Sequence, residues 1–293
     1  MSKNILITGC STGFGFEAAK ELSRKGHHVY ATMRAVEGRN RDSAEALRTF
    51  AQAENTKITV VEMDVTSDDS VQAATAQLPT VDVLINNAGV GFGGPVETFT
   101  ADQILDQLDL NIVGTIRVAN AVLPGMRAAG SGLIIQVSST AGRAAFPGFG
   151  VYHASKWGLE GISEAMRYEL APFGIDVSIV EPGPFSTSFF ANLQGGSRQE
   201  IGDAYSHVGG FSEKFVTMVN EVFADEDAPT DPAVVTQIFD RLIDTPAGER
   251  PLRTIAGLDF GLQAVNDAVE PIRRGTLEMM EISDWDGAVA KAN

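Results

Sequence analysis

The chain is poor in several things that would have opened other routes to function. It has one cysteine, Cys10, in 293 residues, so no internal disulfide can form and a reducing compartment fits. Lysine and arginine total 22 against 38 aspartates and glutamates, a net charge of −16. No run of adjacent basic residues exceeds two, as at Arg273-Arg274. Neither nucleic acid nor an anionic membrane surface is an expected partner of so acidic a chain. Long apolar runs are missing too. The opening MSKNILITG is too short for a signal peptide or a membrane span, and no later run reaches spanning length, which points to a soluble, cytoplasmic protein. The four histidines, His27, His28, His153 and His207, make no metal-ligand spacing with the cysteine or with carboxylates, so no metal site is expected. There is no GxSxG elbow of a hydrolase, no internal repeat and no low-complexity segment.

What is present is an alternation. Apolar, β-branched runs lie at Asn4–Thr8, His28–Thr32, Ile58–Met63, Val81–Asn86, Gly132–Val137 and Ile175–Val180, with helical composition between them beginning near Gly13, Asp42, Ser67, Ala101 and Val151. Nearly continuous apolar strands imply burial on both faces. The regular order implies an α/β fold, a Rossmann-type doubly wound parallel sheet with helices on both faces and ligands at the carboxyl ends of its strands. Nothing in the composition demands a second domain, so 1–293 reads as one unit. A long aromatic excursion follows at Pro182–Pro229, with Phe211, Phe215, Val219 and Val222 at helical spacing. An excursion of that length suggests a lid or binding loop over about 185–230. A helix at Pro232–Asp244 and a strand at Leu252–Ile255 would close the sheet. A helical extension over about 258–293 reads as interrupted at Pro271.

Two stretches carry chemistry. "ILITGCSTGFGFEAAKEL" is a strand, a glycine-rich turn and a helix. Gly9, Gly13 and Gly15 can let the backbone turn and approach a ligand, and the helix start offers unpaired N–H groups to a pyrophosphate. Ser11 and Thr12 fit as anion donors or as helix caps; Phe14 completes the loop, and Cys10 reads as a packed small residue. "FGVYHASKWGLEG" sets Tyr152 one helical turn before Lys156. Either the lysine stem drapes over the ring, or its charge favours the phenolate and brings a pKa of about 10 toward the range of an acid/base catalyst. His153 points roughly a hundred degrees away from Tyr152 and reads as a bystander or rim residue.

The spacing TGxxxGxG, with "NNAG" at Asn86–Gly89 and "YHASK" at Tyr152–Lys156, resembles the classical short-chain dehydrogenase/reductase family over the first two-thirds of the chain. The resemblance implies a nicotinamide cofactor and a carbonyl/alcohol reaction without metal. It makes Tyr152 the acid/base and Lys156 its activator. It implies a substrate-holding serine about a dozen residues upstream, Ser139 rather than Ser138 in "VSST", and a fourth member, Asn111 in "LDLNIVG". It places Asp64 and Val65 of "MDVTS" against the adenine, although Asp64 could instead cap the next helix, a role Ser67 fits better. It places Asn87, Ala88 and Gly89 along the cofactor, and it gives the nicotinamide carboxamide to "EPGPFST", with Pro182, Gly183, Phe185 and Thr187. Glu181 has no reading. The family also implies a homodimer or homotetramer through the helices around Ala101–Met126 and Val151–Phe173.

Cofactor choice rests on "HHVYATMRAVEG". A carboxylate at the end of the second strand would accept the ribose hydroxyls of NAD. Met33 stands there and Arg34 follows, whose donors match the extra phosphate of NADP; NADP is therefore expected, with NAD the alternative. Phe185, Phe189, Phe190, Phe92, Phe146 and Phe149 suggest an apolar carbonyl or alcohol substrate, lipid-like, aromatic or steroid-like. Tyr205, Phe211, Phe215 and Phe223 read more as core or dimer contacts. Two other readings stay open: a non-enzymatic dinucleotide-sensing regulator, and an epimerase or dehydratase of the extended family, for which the chain lacks the large substrate domain.

Overall fold

The computed structural model describes residues 2–225 and 227–289; the last residues of the 258–293 extension lie outside the described residues. Seven parallel strands form one sheet in the order β3-β2-β1-β4-β5-β6-β7. They are β1 (Asn4–Ile7), β2 (His28–Met33), β3 (Lys57–Glu62), β4 (Val83–Asn86), β5 (Gly132–Val137), β6 (Ile175–Pro182) and β7 (Arg253–Ala256). β6 and β4 are buried at every position, as continuous apolar runs require, whereas β3 at the sheet edge alternates.

The helices are α1 (Gly13–Arg24), α2 (Arg41–Ala53), α3 (Asp68–Thr75), α4 (Ala101–Leu108), α5 (Gly114–Ala129), α6 (Gly150–Leu170), α7 (Gln199–Gly202), α8 (Ser206–Phe223), α9 (Ala233–Asp244) and α10 (Gln263–Met279). Two apolar cores result, one per face. Leu22, Ile85 and Phe239 lie in one; Leu6, Leu84, Val118 and Met126 lie in the other. Chain order reverses between β1 and β4, and ligand sites in such sheets open above that point.

The expected interruption at Pro271 does not occur: α10 runs through it. A proline inside a helix leaves one carbonyl without its N–H partner. Here Pro271 and Asp267 one turn earlier are exposed, so water can serve that carbonyl. Polar anchors also hold the helix on both sides of the break. Asn266 bonds Glu181, and Arg273 bonds Tyr168 and Asp286.

Candidate active site

A cleft of about 660 Å³ opens at the carboxyl ends of the strands. Its floor is the loop between β1 and α1. Gly9 has φ +72°, and a Cβ there would stand 2.8 Å from the Cα of Ala88. A Cβ on Gly15 would stand 2.6 Å from the carbonyl of Gly9. The loop is braced from β4: the Asn87 side-chain amide donates to the carbonyls of Thr8 (2.9 Å) and Gly9 (3.1 Å). Thr8 Oγ1 accepts from the N–H groups of Asn87 and Ala88. Thr12 stands at the N-cap of α1 without a side-chain cap bond, and no acidic residue occupies the first turn. The positive end of α1 thus faces the cleft through Ser11, Thr12, Gly13 and Phe14. A cradle that any side chain would fill, below an uncapped helix start, fits a dinucleotide pyrophosphate. Cys10 is fully buried, its thiol donating to the Ile7 carbonyl and pushed far up by burial; it is a packed residue.

The adenosine end is lined by Met33, Arg34, Arg39, Asn40, Met63, Asp64 and Val65. Burial pushes the Asp64 carboxyl up, but the amide and hydroxyl of Thr66 and the nearby Arg34 outweigh it and hold it below its ordinary range. Arg34 lies 3.7 Å from Asp64. Ser67, not Asp64, caps α3 through the Ser70 N–H. Arg39 comes from folding rather than from motif. Ala35 adopts φ +48°, and its carbonyl accepts from the N–H groups of Gly38 (3.0 Å) and Asn40 (3.2 Å). The Asn40 side chain then donates to the Arg34 carbonyl at 2.6 Å. This fold-back returns Arg39 to the rim that holds Arg34.

At the other end the structure brings Ser139, Tyr152 and Lys156 to one wall. Ser139 follows β5; its hydroxyl accepts from Ala141 N–H (3.1 Å) and donates to the Pro182 carbonyl (3.3 Å). Ser138 is buried with an unpartnered hydroxyl. Tyr152 and Lys156 share the first turns of α6. Burial pushes the Tyr152 phenol up to about 12, against the opposing pull of the Ser139 hydroxyl. Burial also pushes Lys156 down to about 8, while Glu160 pulls the other way. Its ammonium donates to the Val137 carbonyl at 2.9 Å and lies 5.8 Å from the centre of the Tyr152 ring. The phenol is therefore fully protonated at neutral pH in this state, and the lysine charge stands beside it rather than on its oxygen.

Asn111 lies behind this wall and Gly15 behind the glycine floor, so neither lines the cleft. Asn111 sits in a π-helical turn, Asp109–Val113, between α4 and α5, a deviation that recurs at functional sites. Its Oδ1 accepts from Val90 N–H (3.0 Å), and its Nδ2 donates to the Val90 carbonyl (3.0 Å) and to Ser155 Oγ (2.9 Å). The amide pins the loop after β4 onto α6. His153 lines the cleft but is itself buried. Its Nε2 accepts from Phe146 N–H (2.8 Å), so its Nδ1 carries the proton given to the Ala141 carbonyl (2.8 Å). The neutral ring, favoured by burial, ties the loop after Ser139 to α6.

The turn after β6 closes the cofactor side through Pro182, Gly183, Phe185 and Thr187. Gly183 admits no side chain, since a Cβ would stand 1.8 Å from the Leu258 carbonyl. Phe185 meets Phe14 edge-on at 5.1 Å. Beyond the wall of Ser139, Tyr152 and Lys156 the cleft is aromatic, with Phe146, Phe149, Phe189, Phe190, Phe215 and Phe260. Phe189 lies 5.3 Å from Tyr152. Phe92 is instead a core residue, buried against Phe99 and Val151; Phe215, read as core or contact, lines the cleft. Phe260 and Arg39 were missed because no sequence pattern predicts which loop tips fold back over a site.

The family model for short chain dehydrogenases matches residues 3–197. The chain belongs to that family. It is an oxidoreductase with a nicotinamide dinucleotide cofactor, NAD(P), as members of the family are. Human 17-beta-hydroxysteroid dehydrogenase type 1 is 34% identical over 240 residues, 80% of this chain and 72% of that protein. A solved short-chain dehydrogenase from Streptomyces avermitilis is 31% identical, with a TM-score of 0.76 over 96% of this chain and 98% of its own. A gluconate 5-dehydrogenase from Burkholderia cenocepacia J2315, solved with NADP and tartrate, is 28% identical, with a TM-score of 0.59 over 64% of this chain and 74% of its own.

Proposed function

We propose that this short-chain dehydrogenase interconverts an apolar alcohol and its ketone or aldehyde with NADP(H), Tyr152 acting as the acid/base. One observation carries the reading: a single cleft has a glycine cradle and two arginines at one end and phenylalanines at the other, with Ser139, Tyr152 and Lys156 where the two meet. When bound, the nicotinamide supplies or takes the hydride at the carbonyl carbon. In reduction, Tyr152 donates its hydroxyl proton to the oxygen that becomes the alcohol. Ser139 Oγ hydrogen-bonds the same oxygen as charge gathers on it. Lys156, still largely charged at neutral pH with a pKa of about 8, stabilises the tyrosinate that remains. Asn111 keeps the loop after β4 and α6 in register. In oxidation the same groups work in reverse.

NADP over NAD is supported by Met33, which accepts no strong bond from ribose hydroxyls, and by Arg34 and Arg39 at the adenosine rim. The steroid-named relative agrees with an apolar substrate. Leu105, Val113, Trp157, Ile162 and Phe173 are exposed on or next to α4 and α6, which supports a homo-oligomer formed through those helices; sedimentation as a monomer at micromolar concentration would contradict it. No helix among the described residues is long and apolar enough to cross a membrane, and the acidic chain remains a poor fit for nucleic acid. A soluble, cytoplasmic enzyme is the reading. The test is NADPH and NADH consumption with a panel of apolar ketones. Turnover with NADPH supports the proposal. Binding of NADPH without turnover on any ketone favours the dinucleotide-sensing regulator.

A further inference from the structure

Glu181 is wholly buried at the end of β6, one residue before the turn that closes the cofactor side. A lone buried carboxylate is costly unless something holds it. Its Oε2 accepts from the side-chain amide of Asn266 on α10 at 2.5 Å. Its Oε1 has no hydrogen-bond partner among the described residues, yet faces Arg253 of β7 at 3.7 Å and Arg143, in the loop after Ser139, at 3.8 Å. Arg253 is already bonded to two carboxylates of α6, Glu160 (2.9 Å) and Glu164 (2.6 Å). Arg143 has a buried Nε without a partner. A Cβ on Gly142 would stand 2.9 Å from Glu160 and 3.0 Å from the Ser138 hydroxyl. The loop that carries Ser139 therefore rests directly on this cluster.

We infer that Glu181 is a positioning residue, through which α10 and β7, both beyond the residues matched by the family model, hold the Ser139–Arg143 loop against the Pro182–Gly183 turn.

The groups facing Glu181 are Glu160 from α6, Arg253 from β7, Arg143 from the loop and Asn266 from α10; Glu164 of α6 stands one step further, bonded to Arg253. With Glu181 protonated, two arginines meet two carboxylates and the cluster is neutral. With Glu181 ionised, Arg143 gains an anionic partner and its unpaired Nε a reason to close the remaining gap, which draws the loop onto β6. Burial first, and Glu160 second, push Glu181 up to about 7, so the two forms exchange near neutral pH. The ionised form braces the turn that receives the nicotinamide. None of the hydrogen bonds or ion pairs of the cluster reaches the adenosine end, on the other side of the switch point.

The inference rests on the proposed cofactor seat, and its test separates the two. Affinities for NADPH and for adenosine 2′,5′-bisphosphate, which reaches only the adenosine end, are measured by fluorescence and by calorimetry at about pH 6 and about pH 8. In the wild type the Kd of NADPH relative to that of the bisphosphate should fall as pH rises, by about fivefold, within the range seen for residues that couple to a ligand they do not touch. In Glu181→Gln the ratio should be flat, with bisphosphate affinity unchanged. In Asn266→Ala, which removes a bond favouring the ionised form, the transition should move to higher pH; this variant decides the matter if Glu181→Gln does not fold. A ratio independent of pH in the wild type overturns the inference. So does an unaltered pH dependence in both variants, which would assign it to another group such as Lys156. Failure of any dinucleotide to bind overturns the cofactor reading, and this inference with it.

Discussion

The two ends of the cleft are built by different means. The end proposed for the cofactor is made largely of backbone: Gly9, Gly15 and Gly183 leave no room for side chains, and Asn87 and Thr8 saturate the local carbonyls and amides. The substrate end is made of rings drawn from distant segments: Phe146 and Phe149 before α6, Phe189 and Phe190 after β6, Phe215 on α8 and Phe260 after β7. Backbone hydrogen bonds are directional and tolerate little displacement, so one end recognises a fixed group. Ring contacts are non-directional and scale with area, so under the proposed function the other would select by size and polarity.

The wall of Ser139, Tyr152 and Lys156, where the two ends join, gives the largest expected effect. Tyr152→Phe removes the proton donor and nothing else. Turnover should fall by about 10²- to 10⁴-fold, the usual contribution of a positioned acid, while NADPH affinity is retained; activity near wild type would break the assignment of Tyr152. Next comes the adenosine rim. Arg34→Ala and Arg39→Ala should each lower the NADPH-over-NADH ratio of kcat/KM by about tenfold, the loss of a charge-assisted bond of about 1.5 kcal/mol. Met33→Asp should erase or reverse the preference. A wild type that prefers NADH would show that neither arginine reads a phosphate.

The smallest effect concerns the segment proposed as a lid, which is itself two regions. Its first part is stapled down: Gln194 exchanges backbone bonds with Gly91 and Gly93, Arg198 N–H reaches the Thr98 carbonyl, and Gln103 bonds Gly195 and Ser197. α8 is held chiefly by Val208, Val219 and the rings around Phe215. Without ligand, amide exchange in 206–223 should outpace that in 193–198, and substrate should slow the former. Equal and unchanging exchange across both would remove the lid from the account.

The sequence was informative where function uses local pattern. β5 begins and ends at the expected residues, the glycine turn opens α1, and Tyr152 and Lys156 share the first turns of α6, because each depends on residues within a few positions of one another. It was silent where contacts join remote segments. Arg39 reaches the rim only through the left-handed Ala35, and Phe260 only because the chain turns back after β7. His153 lines the cleft and is also a brace, because the loop from Ala141 to Phe146 folds onto both of its nitrogens. Pro271 did not break its helix because anchors on either side hold it.

The division of the cleft is tested most directly by kcat/KM along a series of methyl ketones of increasing chain length at saturating NADPH. If the aromatic end is the substrate site, kcat/KM should rise by about fourfold per methylene, from roughly 0.8 kcal/mol per buried CH₂, until the cleft is filled. A flat series, or a preference for short hydroxylated ketones, would contradict it.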